Sequence, residues 1–410
     1  MSPSSVPRSL RVLNVITRMI VGGAQETALL SCALLDRHRF PSEILTGAET
    51  GSEGELHTEA LVRHVVIHVE PNLVRRFDLV RDLIAMLKLA RFMKRGRYDI
   101  VHTHSSKAGV LGRLAARLAG VRVVVHTVHG WAFVPGLRRS LFLLYLALER
   151  LCARLSDRII VVAETDREEG LALKIGRPAQ YQLIRSGIEI EAYRDVALER
   201  VVARARLGLP GDAFVVGSVA RLSPQKAPLD LVMAFERVAR AEGIAHLVLV
   251  GDGPLRGEVE SAVERLGLTG RVHLLGLRRD VPELLRAFDV FALASRWEGL
   301  PRVFSQAMAA GLPIVATRVD GASDAITPGE NGWLVEVGDA AALADRLLAL
   351  AQDPAARQRM GEGGRRRTDE FSARLMVEQL AELYEGLAAQ KGLLDRPAST
   401  ASQPIPRAGV

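Results

Sequence analysis

Short apolar runs alternate with amphipathic stretches along almost the whole chain. The runs are typical of buried parallel strands, and the stretches between them have the spacing of helices. The pattern predicts strands at residues 11–16, 65–69, 98–102, 122–127, 158–163, 181–184, 214–219, 246–250, 271–275, 290–293, 313–317 and 333–335. It predicts helices at residues 24–37, 77–94, 137–154, 164–175, 229–241, 281–287 and 301–310, one that ends near residue 118, and others from 340, 354 and 373. This alternation indicates parallel βαβ units and therefore an α/β protein.

The alternation is interrupted once, by a polar stretch that begins at Ser186 and Gly187 and ends near Asp212. We therefore predict two Rossmann-like domains, 1–187 and 188–372, that face a central cleft. The helix that starts at residue 373 and runs to about 391 follows the second domain. Residues 392–410 are rich in Pro, Ser and Ala, a composition that is typical of disorder.

The stretch 295–317 has the strongest local signal. A polar turn that contains Glu298 and Gly299 leads into a predicted helix that starts at Pro301 and ends before Gly311. The N-terminus of a helix exposes unpaired N–H groups and a partial positive charge, so it suits a phosphate. Gln306 lies about five residues into the helix, roughly 7–8 Å along its axis. This layout suits a sugar, a diphosphate and a ribose laid end to end.

Two further segments have the features of an anion site. Arg221 and Lys226 follow the strand at 214–219, and open α/β sheets bind ligands at the carboxyl ends of their strands. Gly22 and Gly23 lie between the first strand and the first helix, which makes a second potential anion site. A solvated turn is the simpler explanation of each segment taken alone. For Arg221 and Lys226, the combination with Glu298 favours a ligand site instead.

Four histidines near the ends of two strands raise the question of a metal site: His102, His104, His126 and His129. His102 and His104 should project from one face of their strand. A metal-dependent hydrolase would also need carboxylates grouped nearby. The nearest, Asp99, lies at the start of its predicted strand, whereas a metal ligand would be expected at the end. We therefore expect no metal. His102 and His104 either line a cleft or satisfy local hydrogen bonds.

Composition restricts the partners and the compartment. The net charge is +7, which suits acidic ligands or an anionic surface. Aromatic residues make up only 5% of the chain, so few side chains could stack on the bases of a nucleic acid. We therefore expect no nucleic-acid partner. The two cysteines, Cys32 and Cys152, fit a reducing cytoplasm. No apolar run reaches the length of about 18 residues needed to span a bilayer, and the run after Arg11 is better explained as the first strand than as a signal peptide.

The motifs resemble a known family. Glu298-Gly-Leu-Pro301, followed by Gln306 and the residues up to Ala316, resembles the signature of the retaining glycosyltransferases of family 4, which have the two-domain GT-B fold. Arg221 and Lys226 resemble the family's pair that neutralises the departing diphosphate. The family has Glu at the position of Gln306 and usually Gly at that of Ala227.

The resemblance implies a role for each predicted site residue. The expected catalytic residues are His129, Arg221, Lys226 and Glu298. The expected donor-binding residues are Gly22, Gly23, Gly299, Leu300, Pro301 and Gln306. A sugar acceptor is expected beside His102, His104 and Trp131. In the family, the helix at 373–391 crosses back to the first domain.

The implied activity is transfer of a sugar from a nucleotide-sugar, most simply a UDP-sugar, to a glycan or a lipid-linked acceptor in cell-surface polysaccharide synthesis. The nucleotide-sugar is a substrate, and no cofactor is expected. No Asp-x-Asp pair occurs, so a bridging metal is not expected either.

Several alternatives stay open on the sequence alone. The same fold could host a sugar-nucleotide epimerase or a hydrolase. Gln306, where the family has Glu, is also compatible with a non-catalytic partner subunit. The segment 138–154 carries Leu, Phe and Tyr between arginines. It is either a packed helix of the first domain or an interfacial helix that holds a cytoplasmic protein on an anionic membrane leaflet.

Overall fold

The computed structural model describes residues 8–48, 54–133 and 136–394. They form two α/β domains, each built on one parallel sheet, so the predicted fold class is confirmed. The predicted N-terminal tail and most of the predicted C-terminal tail, residues 395–410, lie outside the described residues. Leu393, at the start of that tail, is buried against the first domain.

The first domain has a seven-stranded sheet in the order β3-β2-β1-β4-β5-β6-β7. Its strands are β1 (Val12–Ile16), β2 (Ser42–Thr46), β3 (Val66–Val69), β4 (Ile100–His104), β5 (Val123–Val128), β6 (Arg158–Val161) and β7 (Tyr181–Leu183). Its helices are α1 (Gly23–Leu34), α2 (His57–Val62), α3 (Leu79–Gly96), α4 (Ser106–Ala119), α5 (Arg139–Leu155) and α6 (Glu164–Ala172).

The second domain has a six-stranded sheet in the order β10-β9-β8-β11-β12-β13. Its strands are β8 (Phe214–Val219), β9 (Ala245–Val250), β10 (Val272–Leu274), β11 (Val290–Leu293), β12 (Ile314–Thr317) and β13 (Gly332–Val335). Its helices are α7 (Glu191–Arg194), α8 (Arg200–Arg206), α9 (Pro228–Ala241), α10 (Arg256–Arg265), α11 (Val281–Leu285), α12 (Arg302–Ala310), α13 (Ala322–Ala325), α14 (Ala340–Gln352) and α15 (Pro354–Arg367).

A last helix, α16 (Ala373–Gln390), packs against the first domain although it follows the second. Its apolar side, with Met376, Leu380 and Tyr384, lies against α1 and residues of the first sheet. The chain therefore passes between the domains twice. The two crossings lie side by side, since the Ile188 N–H donates to the Phe371 carbonyl at 2.9 Å and the Ala373 N–H to the Ile188 carbonyl at 2.8 Å.

The main differences from the predicted elements concern polar segments. The sequence pattern gave no strand at Ser42–Thr46, because this segment combines Ser, Glu and Thr with only two apolar residues. It also gave no helix at Arg256–Arg265, which buries only three of its side chains. The strand predicted at 98–102 lies two residues later, so both His102 and His104 lie within β4.

Both sheets place their carboxyl ends toward the space between the domains. In each sheet the strand order reverses next to the first strand of the domain, at β1/β4 and at β8/β11. Ligands of open parallel sheets bind at such reversals, because the connections leave in opposite directions and open a crevice. Two crevices of this kind therefore face one another.

Candidate active site

A cavity of about 600 Å³ lies between the domains and is lined by residues of both. All the predicted catalytic and donor-binding residues line it: Gly22, Gly23, His129, Arg221, Lys226, Glu298, Gly299, Leu300, Pro301 and Gln306. They follow the carboxyl ends of β1, β5, β8 and β11, or belong to α12. The volume is in the range of cavities that take a small organic ligand.

The helix α12 brings its N-terminus to this cavity. It begins at Arg302, with Pro301 as its N-terminal cap, one residue later than predicted. Leu300, Pro301 and Val303 also line the cavity, so the unpaired N–H groups of the first turn lie beside it. Gln306 lies one turn further on, 7% exposed, and its side chain makes no hydrogen bond to a described residue.

Two loops hold a cation against a carboxylate on the wall of the cavity. Lys226 Nζ forms an ion pair with Glu298 Oε1, and the carboxylate side chain is only 8% exposed. The side-chain amide of Gln225 donates to the Trp297 carbonyl at 3.0 Å, and the Arg296 N–H donates to the Gln225 carbonyl at 2.8 Å. These bonds fix the two loops to one another, so Lys226 and Glu298 are held together by backbone as well as by charge.

Glycines let the two domains meet beside Glu298. A Cβ on Gly299 would lie 2.6 Å from the His129 carbonyl oxygen, and one on Gly321 would lie 2.3 Å from the Gly299 carbonyl oxygen. Gly130 faces Gly299 with a φ of 99°, which L side chains rarely adopt. The loop after β5 can therefore pack directly on the loop after β11, and His129 reaches the wall of a cavity formed largely by the second domain.

His129 is held neutral at this wall. Its Nε2 lies 3.1 Å from Nδ1 of His104. Burial, together with the charge of Arg302, lowers the pKa of His129 to about 4. At neutral pH the imidazole is therefore uncharged and interacts with a ligand through hydrogen bonds.

His102 and His104 do not lie on the wall of the cavity, which corrects their expected placement beside an acceptor. Both are 1% exposed. His102 bonds Tyr384 Oη and Thr127 Oγ1, each at 2.6 Å, and burial lowers its pKa to about 3. Because β4 extends two residues further than predicted, these rings point into the domain. Of the two sequence-based alternatives, local hydrogen bonding is the one observed.

Trp131 also lies away from the cavity wall. Its indole N–H donates to the Asp166 carbonyl at 2.7 Å, and its ring stacks on Phe133 at 5.8 Å between centroids. It packs with the cluster under α5 and α6. Packing and hydrogen bonding account for its position, and its acceptor role stays a prediction.

Within the described ranges, no group of three or more His, Cys, Asp or Glu side chains is arranged to hold a metal ion. His126 bonds Thr103 Oγ1 at 2.9 Å and makes no cluster with carboxylates.

Sequence reasoning missed a contact across the domain boundary. Arg302 pairs with Glu26 of α1, and its Nη2 donates to the Gly187 carbonyl at 3.1 Å. Arg302 follows the recognised motif directly, but nothing in the local pattern shows that it reaches α1 from the other domain. Both residues line the cavity, so a third cation lies near the predicted diphosphate site.

An acidic group beside Glu298 was also missed. Asp166 is 2% exposed, and its Oδ2 has no hydrogen-bond partner among the described residues. Burial, followed by the charges of Asp320 and Glu169, raises the pKa of Asp166 to about 8. Burial and the nearby Glu298 raise the pKa of Asp320. These residues come from both domains, so no local sequence pattern indicated their proximity.

Comparison with known proteins decides the family. The model of "Glycosyl transferases group 1" matches residues 200–367, and that of "Glycosyltransferase Family 4" matches residues 21–192. A curated relative, the UDP-Gal:alpha-D-GlcNAc-diphosphoundecaprenol alpha-1,3-galactosyltransferase of Escherichia coli, is 31% identical over 94% of this chain and 100% of its own. The chain belongs to the group 1, family 4 glycosyltransferases.

Two further comparisons support this family assignment. The putative glycosyltransferase EpsD of Bacillus subtilis (strain 168) is 32% identical over 74% of this chain and 81% of its own. The crystal structure of Anabaena Alr3699/HepE in complex with UDP and glucose superimposes with a TM-score of 0.80, at 25% identity, over 92% of this chain and 99% of its own. The glycosyltransferase described here therefore has the GT-B fold, as predicted, and is an enzyme.

Proposed function

We propose that this glycosyltransferase moves a sugar from a UDP-sugar to a lipid-linked acceptor in surface polysaccharide assembly and retains the anomeric configuration. The observation that supports it most is the Lys226–Glu298 pair, held beside the N-terminus of α12 in an interdomain cavity. The name of the Escherichia coli relative specifies a UDP-sugar and a diphosphoundecaprenol-linked acceptor, and the HepE structure contains UDP. A further relative, CapM of Staphylococcus aureus, is named for capsular polysaccharide biosynthesis.

In this proposal the cations bind the diphosphate. Arg221 and Lys226 neutralise its charge together with the N–H groups at the start of α12, and the glycine turn before α1 closes the other side. When the diphosphate enters, Lys226 exchanges part of its contact with Glu298 for phosphate oxygens. Glu298 then accepts hydrogen bonds from hydroxyls of the donor sugar, and Gln306 forms hydrogen bonds with the ribose hydroxyls.

The transfer step needs no covalent intermediate. The bond between the anomeric carbon and the phosphate oxygen breaks, and its electron pair leaves with UDP. The acceptor hydroxyl oxygen bonds the anomeric carbon on the same face, and its proton passes to the departing phosphate oxygen. Fixed cations beside that phosphate stabilise the charge that develops on it in the transition state.

The experiment supplies a panel of nucleotide-sugars, with and without an α-GlcNAc-diphospholipid acceptor, and follows the products by NMR. The proposal expects consumption of a UDP-sugar that depends on acceptor, an α-linked product from an α-linked donor, and full activity in EDTA. A β-linked product would contradict retention. Equal turnover without acceptor would instead indicate a hydrolase or an epimerase, and loss in EDTA restored by one divalent ion would indicate a bridging metal.

We also propose that the first domain contacts an anionic membrane, where a lipid-linked acceptor would be found. No helix of the described chain has the length and apolarity needed to cross a bilayer. On α3, however, Leu79, Val80, Leu83 and Leu87 are between 54% and 73% exposed. The same helix carries exposed basic side chains, most of them after Leu87: Arg81, Lys88, Arg91, Lys94 and Arg95. Such a mixture suits the interface of an anionic leaflet.

The helix α5, which the sequence singled out, shares this character. Leu141, Leu143 and Leu144 are partly exposed on it, and α4 lies between α5 and α3. Co-sedimentation with phosphatidylglycerol vesicles tests the contact. Leu83→Glu with Leu87→Glu should abolish binding, whereas Met233→Glu on α9, whose side chain is also exposed, should leave it intact. Equal binding by all three proteins, or equal binding to phosphatidylcholine, would contradict the proposal.

A further inference from the structure

Four side chains form a hydrogen-bonded row from the cavity wall into the first domain. His129 Nε2 lies 3.1 Å from His104 Nδ1, and His104 Nε2 lies 3.1 Å from Asn14 Oδ1. Asn14 Nδ2 in turn lies 3.0 Å from Cys32 Sγ. We call His129, His104, Asn14 and Cys32 the histidine row. Three of its members are fully buried, and only His129 reaches the cavity.

Cys32, at the buried end of the row, determines which groups of the row donate hydrogen bonds and which accept them. Burial raises the pKa of the Cys32 thiol, so the sulfur keeps its proton. Cys32 directs that proton to the Glu43 carbonyl at 4.0 Å, and its sulfur then accepts from the Asn14 amide N–H. The Asn14 amide therefore turns its oxygen toward His104, and an amide oxygen can only accept.

The proton positions of both rings follow. A neutral imidazole has one N–H and one acceptor nitrogen. Since Asn14 Oδ1 accepts, His104 must hold its proton on Nε2 and accept at Nδ1. His129 must then donate from Nε2, which leaves Nδ1 as an acceptor. That nitrogen receives no hydrogen bond from any residue in the described part of the chain.

We infer that Asn14 and His104 are positioning residues that fix His129 as the Nε2–H tautomer, so that Nδ1 meets a hydroxyl of the donor sugar as a hydrogen-bond acceptor. The identity of that ligand rests on the proposed function, because His129 lines the same cavity as Glu298 and Gln306. The row gives His129 no proton on the ligand side. His129 is therefore a neutral binding group and not the acid of the reaction.

The first test needs neither donor nor acceptor. Nitrogen-15 NMR of the full chain labelled at histidine, at pH 7.5, distinguishes a protonated ring nitrogen from an acceptor nitrogen. A His129→Asn variant identifies the His129 signals among those of the ten histidines. The inference expects the proton on Nε2 of both His104 and His129. A proton on Nδ1 of His129, or a doubly protonated ring, would overturn it.

Variants test whether the row sets the tautomer. Asn14→Leu removes the acceptor for His104, so the fraction of His129 protonated on Nε2 should fall. Asn14→Asp restores an acceptor and should restore the wild-type signals. Thr127→Val is the matched control, because it removes a partner of the neighbouring His102 and leaves the row intact. A wild-type tautomer in Asn14→Leu would contradict the inference.

Binding and kinetics then separate this role from a structural one. In Asn14→Leu the Kd of UDP should change by less than about twofold, while the KM of the UDP-sugar rises about fivefold, the effect of one impaired hydrogen bond. Asn14→Asp should recover most of that loss. A parallel loss of UDP affinity would show general damage and contradict a positioning role. If no UDP-sugar is turned over, the proposed function fails, but the NMR test of the tautomer still stands.

Discussion

Gln306 is the residue at which this chain departs most clearly from its family, in which Glu occupies the position. The structure places it on the cavity wall, with a side chain that bonds no described residue. A carboxylate there would accept two ribose hydrogen bonds as a charged group. The amide of Gln306 would make neutral bonds to the same hydroxyls, which are about half as strong.

The ribose assignment predicts unequal effects of substitutions at the two ends of the site. Gln306→Ala should raise the donor KM by roughly two- to tenfold, the range of one neutral hydrogen bond, with little change in kcat. Gln306→Glu should be tolerated or tighten donor binding. Glu298→Ala should instead lower kcat, because the proposed function has Glu298 orient the reacting sugar. Steady-state kinetics with a matched donor checks this. A silent Gln306→Ala beside an inactive Glu298→Ala would show that the ribose assignment is wrong.

The buried histidines predict acid-sensitive stability. Burial lowers the pKa of His102 to about 3 and that of His129 to about 4, whereas the unfolded chain takes up protons near pH 6.5. The unfolded state therefore binds more protons as the pH falls from about 7 to about 4, and the free energy of unfolding decreases in that window. The loss at pH 5 is on the order of 2 kcal/mol for each such histidine.

Urea unfolding at pH 7.5 and pH 5 measures this effect. His126→Asn should reduce the pH dependence, because burial also lowers the pKa of His126. His38→Asn, at an exposed histidine, should not. An unfolding free energy that is the same at both pH values would contradict the buried, neutral state of these rings.

At the scale of the elements, the loop between β8 and α9 carries local strain. Ala227 precedes α9 with φ at 43° and ψ at 54°, in the left-handed region that costs an L residue about 1–2 kcal/mol. The family usually has Gly after the lysine, and this conformation supplies the physical reason. The bend directs Lys226 toward Glu298 while α9 starts at Pro228.

Ala227→Gly should therefore relieve strain without moving Lys226. Part of the gain is offset by the greater freedom of Gly in the unfolded chain, so we expect stabilisation of about 0.5–1 kcal/mol. Thermal unfolding measures it, with UDP binding as a check that the loop is intact. Ala239→Gly, within the last turn of α9, is the control and should destabilise the protein rather than stabilise it. Destabilisation by both substitutions would show that the bend is not strained.

Elements with a strong local pattern were predictable, and those without it were not. The strands β8 and β11 and the starts of α14, α15 and α16 were predicted at their observed positions. Apolar runs form the two strands, and a capping residue directly precedes each helix: Asp339, Asp353 and Ser372. β2 and α10 were missed because they contain few apolar residues. Only the packing of those residues in the folded domain shows that the segments are a strand and a helix. For His102 and His104 the sequence left a cleft and local hydrogen bonding both open, because it did not show that β4 extends to His104.

At the scale of the whole molecule, the site depends on contacts between domains that no local pattern could show. Lys226, Glu298 and Gln306 were predictable because one domain supplies them within two short motifs. The Arg302–Glu26 pair joins residues 276 positions apart in the chain. Its existence follows only from how the two crevices face each other.

This pair predicts opposite effects of two substitutions. Glu26→Gln frees Arg302 for a diphosphate and should tighten UDP binding, whereas Arg302→Gln removes a cation from the cavity and should weaken it, each by about fivefold. Calorimetric titration with UDP measures both. Glu385→Gln, which removes the partner of Arg39 on α16, is the control and should leave UDP affinity unchanged. Changes of the same sign in both variants would contradict the claim that Glu26 and the diphosphate compete for Arg302.

The most direct test of the central claim is the affinity of Lys226→Ala for UDP. The claim is that the cavity between the domains binds a nucleoside diphosphate through Arg221 and Lys226. Loss of a charge-assisted contact of about 1.5–3 kcal/mol should raise the Kd by roughly 10- to 100-fold. Lys94→Ala removes the same charge from the exposed surface of α3 and should bind as wild type does. Wild-type UDP affinity in a folded Lys226→Ala protein would contradict the claim.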